Sequence, residues 1–70
     1  MKYLIIIEKT GSGYSAYSPD LQGCVATGAT PSETEVNMQN AIAFHLEGMR
    51  EEGMRIPVPE CRASYVEVAA

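Results

Sequence analysis

Several residue types that would give the chain an obvious chemistry are scarce. Seventy residues include a single histidine, His45, two cysteines, Cys24 and Cys61, and five basic side chains against nine acidic ones. Two distant cysteines with no secretory signal do not read as a disulfide. With only His45 beside them, they match no zinc spacing. The basic residues, Lys2, Lys9, Arg50, Arg55 and Arg62, are scattered rather than clustered. A nucleic-acid reader needs such charge gathered to displace counterions from phosphates, and an anionic membrane surface needs it too. Long hydrophobic runs are also missing. Leu4–Ile7 is too short for a signal core, and Glu8 and Lys9 follow at once. The expected compartment is the cytoplasm.

What is present is acidic and small. A formal charge of −4 suits solubility, and it also suits a basic protein partner, because complementary charge steers encounter. The length allows one domain, residues 1–70. A chain this short buries only about 60% of its unfolded surface, so its own core is thin. With disulfides and metals disfavoured, a homo-oligomer, dimer or tetramer, is the expected remedy.

The order of elements follows from pattern. Lys2–Glu8 is β-branched and nearly continuously apolar, which suits a strand covered on both faces. Thr10–Gly13 is a loop fit for a hairpin, and Tyr14–Ser18 alternates as a second strand. Pro19–Gly23 is a turn, and Cys24–Thr27 a third short strand closed by Gly28. Thr30-Pro31-Ser32-Glu33 then reads as a capping box with proline at the first helical position. Beyond it, Thr34, Met38, Ala41, Ile42, His45, Leu46 and Met49 form one stripe of a 3.6-residue period, and Gly53 is the expected stop. Pro57 and Pro59 hold the next stretch extended, and Arg62–Val68 reads as a final strand. One helix on one face of an antiparallel sheet gives a two-layer α+β domain of β-β-β-α-β order.

The opposite helix face carries Val36, Asn37, Asn40, Phe44, Glu47 and Glu51. Phe44, the only phenylalanine, points away from the predicted core. An apolar anchor with an acidic and amide rim resembles a partner-binding patch, so Phe44, Glu47 and Glu51 are the candidate contacts. The alternative is that Phe44 folds under a loop or caps the sheet edge.

Catalysis finds little support. His45 sits on the apolar stripe with no serine or cysteine in motif spacing. Asp20 lies in a Pro-Asp turn, where its carboxylate bonds the backbone. Only Asp20, Glu8 and Glu33 fall near strand ends or the helix start, too few for metal-dependent phosphodiester cleavage. The glycines form no phosphate loop, since no Gly-Lys-Ser/Thr follows a strand. Cys24 falls in a strand rather than at a helix cap, which suits a small buried apolar role. No catalytic, cofactor-binding or metal-binding residue is expected.

The segment Tyr17-Ser18-Pro19-Asp20-Leu21-Gln22-Gly23-Cys24, followed by Gly28-Ala29-Thr30, resembles the HicB-like antitoxin family, marked by P-D-L-P-G-C and then G-x-T. The resemblance continues through Ala41-Ile42, His45-Leu46 and Gly53–Pro59, similar to the family's G-x-x-I-P-x-P. It implies a partial ribonuclease-H-like fold without that enzyme's carboxylate site, and an antitoxin that neutralises a HicA-like toxin, a small basic ribonuclease acting on mRNA. Gln22 departs from the usual second proline, and Glu35 stands where the family favours an apolar residue. Many members carry a C-terminal DNA-binding module. The residues after Val68 are too few for a recognition helix, so the chain resembles a short form, and operator binding is not expected. Two other readings compete with the antitoxin one. The first is a solitary homo-oligomeric regulatory or ligand-binding domain without a toxin. The second is a vestigial Mg²⁺ nuclease built on Asp20.

Overall fold

A computed structural model describes residues 1–70. Three strands, β1 (Ile6–Lys9), β2 (Tyr14–Ser18) and β3 (Leu21–Gly28), precede one helix, α1 (Pro31–Glu51). The strands form an antiparallel meander in the order β1-β2-β3. Register sets two kinds of row across the sheet. Ile7, Ala16 and Ala26 share one row and face α1, whereas Ile6, Tyr17 and Val25 share the neighbouring row on the opposite face. The core lies between sheet and helix: Ala16, Leu21, Cys24 and Met38 are buried, with Tyr3, Ile5, Ile7, Ala26, Ala41, Ile42 and Leu46 packed around them.

α1 begins with one of the two hydrogen bonds of the expected capping box, the Glu33 carboxylate making none back to the Thr30 N–H. Thr30 is extended, and its hydroxyl accepts a hydrogen bond from the Glu33 N–H at 3.1 Å. Thr34 is fully buried, with its hydroxyl donating to the Thr30 carbonyl. Gly28 lets the end of β3 lie against this first turn. A Cβ at Gly28 would stand 2.7 Å from the Thr34 backbone nitrogen. The helix ends at Gly53, whose φ of +70° is the left-handed conformation that glycine adopts without strain. There the Met54 N–H donates to the Met49 carbonyl and the Gly53 N–H to that of Arg50, satisfying two end carbonyls.

Three expectations need correction. The first strand runs over Ile6–Lys9 rather than Lys2–Glu8, and it is an outer strand with Glu8 and Lys9 exposed rather than one covered on both faces, because no fourth strand lies beside it. Leu21 begins β3 rather than ending a five-residue turn, because Pro19-Asp20 alone closes the hairpin: Ser18 pairs with Leu21. The register then slips between Tyr17 and Ser18, and Gly23, with φ +80°, absorbs the irregularity. The final strand expected over Arg62–Val68 does not form within the chain, and residues 54–70 hold neither helix nor strand. After the helix, the chain crosses the hairpin end of the sheet. The Tyr3 hydroxyl donates to the Pro57 carbonyl at 2.5 Å, and the Cys61 N–H donates to Asp20 Oδ2 at 3.3 Å. These contacts release the chain beside the β2–β3 hairpin, so residues 62–68 meet no strand edge.

Candidate partner-binding groove

The second half of α1 and the first half of β3 diverge, leaving an open groove of about 850 Å³. Its helical wall carries Phe44, His45, Met49 and Glu51, its strand wall runs from Leu21 to Val25, and Glu52, Met54 and Pro57 close one end. The divergence explains a gradient along the core stripe. Thr34 and Met38 are fully buried, but Ala41, Ile42, His45, Leu46 and Met49 are only half-buried. Towards the helix start the gap closes, because the Asn37 side chain donates to the Thr27 carbonyl at 2.8 Å and covers that part of the β3 edge.

The groove combines an apolar lining with an acidic margin. Phe44 is 79% exposed. Asp20, Glu51 and Glu52 are the charged residues of the lining, all acidic. Of the three expected contacts, Phe44 and Glu51 therefore border the groove. Glu47 is exposed on the same helix but does not line it. The β3 residues, Met54, Pro57 and Asp20 were not among the expected contacts. Only the long-range approach of residues 54–61 to the hairpin gathers them, and no local sequence pattern encodes that.

Burial pushes the Cys24 thiol above its ordinary pKa. Cys61 is raised as well, chiefly by its side-chain hydrogen bond to Asp20. Neither thiol gains the thiolate character of a nucleophile. The three carboxylates weighed for metal chemistry lie apart: Glu8 is in the row of Ser15 and Thr27, Glu33 is in the first turn of α1, and Asp20 is at the hairpin. No group of three or more His, Cys, Asp or Glu residues is placed to hold a metal ion. No helix is long and apolar enough to cross a membrane.

Known proteins share this sequence pattern and this fold. Residues 3–69 match the family model for the HicB-like antitoxin of bacterial toxin-antitoxin systems. An uncharacterized 14.9 kDa protein of the rep-hol intergenic region of Haemophilus phage HP1 is 46% identical over 66 residues, covering 94% of this chain. The chain spans about half, 50%, of that relative's length. A chain of the HicA3 and HicB3 toxin-antitoxin complex superposes with a TM-score of 0.74 at 37% identity, over 84% of this chain and 70% of that one. The antitoxin HicB3 crystal structure gives 0.69 at 38%, over 81% of this chain and 42% of that one. The three-stranded antiparallel sheet followed by one helix is thus the arrangement of solved HicB antitoxins.

Proposed function

We propose, from the premise that this chain belongs to the HicB-like antitoxin family, that it is the antitoxin of a type II toxin-antitoxin system. Its task is to bind and occlude a small basic HicA-like mRNA ribonuclease in the cytoplasm. The observation that carries this reading is the groove between α1 and β3, apolar in its lining and charged only by acids, with Phe44 standing exposed on its wall. An exposed aromatic is the side chain most able to supply binding energy once a partner excludes water around it. Glu51 and Glu52, with Glu47 on the adjacent surface, give the field that draws in a basic protein. The similarity to a chain from a HicA3 and HicB3 complex supports the same partner class.

Self-association belongs to the proposal. Only six of 70 residues are buried, a thin core for an independent domain. The Ile6-Tyr17-Val25 row also leaves apolar surface on the uncovered face of the sheet.

Mixing the purified chain with a small basic ribonuclease encoded beside its gene tests the reading. Stoichiometric inhibition of RNA cleavage, weakened by Phe44→Glu and by added salt, is the expected result. A chain that neither binds nor inhibits that neighbour would leave the solitary homo-oligomeric domain as the better account.

A further inference from the structure

Gly48 lies inside α1, where glycine is less favourable than alanine because it has more backbone freedom to lose. Gly28 and Gly53 answer needs of this fold, a close approach and a left-handed φ. Gly48 answers neither. Its φ is not positive, and a Cβ built on it would meet nothing within 4 Å. A glycine that weakens its own helix and relieves no clash within the molecule has its use outside it.

The surroundings of Gly48 indicate that use. It is exposed and lines the groove. Phe44 stands one turn before it, and Glu51 and Glu52 stand one turn after it, so all four share one face of the helix. Each of them borders the groove. Phe44 is exposed, and neither glutamate carboxylate takes part in a hydrogen bond of the fold. The C-terminal end of a helix adds negative partial charge at the same place. A bare strip of helix backbone thus runs from an aromatic ring to two unpaired acids.

We propose that Gly48 determines the specificity of the groove. It keeps the strip open so that an arginine of the basic partner lies across it, the stem over Gly48 beside Phe44 and the guanidinium at Glu51 and Glu52. Arginine suits such a seat because its methylene stem packs on apolar surface while its planar head pairs with carboxylates. Any side chain at position 48 takes the space of that stem. The inference rests on the proposed antitoxin reading and names the chemical group that its groove receives.

Titration of the full chain, Gly48→Ala and Gly48→Leu with the small basic ribonuclease encoded beside the gene tests it, alongside urea melts of each free protein. Gly48→Ala should raise the urea midpoint, as alanine does in a helix, and yet weaken binding roughly 10-fold. Gly48→Leu should weaken binding roughly 100-fold by filling the strip. Replacing both acids, Glu51→Gln with Glu52→Gln, should weaken binding as well. Gly48→Ala made in that background should then cost less affinity than it does alone, because the arginine head is no longer held there. Equal affinity of wild type and Gly48→Leu, or a lower urea midpoint for Gly48→Ala, would overturn the role of Gly48 and leave the antitoxin reading standing. Strictly additive losses from position 48 and the two acids would overturn the arginine seat. A wild-type chain that binds no ribonuclease would remove the antitoxin reading and this inference together.

Discussion

Ser18 is buried, and its hydroxyl has no hydrogen-bond partner. A buried hydroxyl that has given up water without a replacement opposes folding. Ser18→Ala should therefore raise stability by about 1 kcal/mol, read as a higher urea midpoint. Thr30 and Gly28 act in the opposite sense. Losing the hydroxyl that accepts from Glu33 should cost about 1 kcal/mol in Thr30→Ala, and an unchanged melt would refute the cap. Gly28→Ala drives a Cβ into the backbone of a buried helix turn, and should cost about 2 kcal/mol or more in the same melt. Cys24 adds a pH dependence. Burial raises its thiol pKa in the folded state, so the folded form holds its proton more tightly than the unfolded one. That contribution is complete below the unfolded thiol's pKa and is lost as pH rises through the folded value. The urea midpoint should fall on passing into alkaline buffer, and Cys24→Ala should show a smaller fall.

At the scale of elements, local chemistry and long-range placement separate cleanly. The helix was legible because its determinants are neighbours in sequence: Thr30, Pro31 and Glu33 at its start, the Thr34–Met49 stripe through its length, and Gly53 at its end. Each of those stripe residues is buried or half-buried in the fold. β2 was equally readable from its alternation. The start of β3 was not, since Leu21 looks like turn sequence until the Ser18–Leu21 pair fixes the hairpin at two residues. Leu21 is almost fully buried, at 1% exposure, and cavity creation there should make Leu21→Ala cost about 2–5 kcal/mol. The Arg62–Val68 pattern was read as a strand of this chain. Pattern reports the propensity of a segment but not the edge it meets, and here the segment departs beside Asp20. The groove was half legible. Phe44 and Glu51 follow from helical phase, whereas its β3 wall and the closure by Met54 and Pro57 arise from contacts between distant parts of the chain.

For the molecule as a whole, the fold supplies positions and the groove supplies the chemistry. One helix over three strands leaves an open side at the end where the helix diverges, and the charges collected there are acidic. The family is one of antitoxins, non-enzymatic proteins. The central claim is that a basic ribonuclease is held through Phe44. Titration calorimetry of the full chain against the small basic ribonuclease encoded beside it, with Phe44→Ala in parallel, tests that claim most directly. The account predicts saturable binding that Phe44→Ala weakens by about 2 kcal/mol, roughly 30-fold in Kd. No heat of binding, or equal affinity for both proteins, would contradict it.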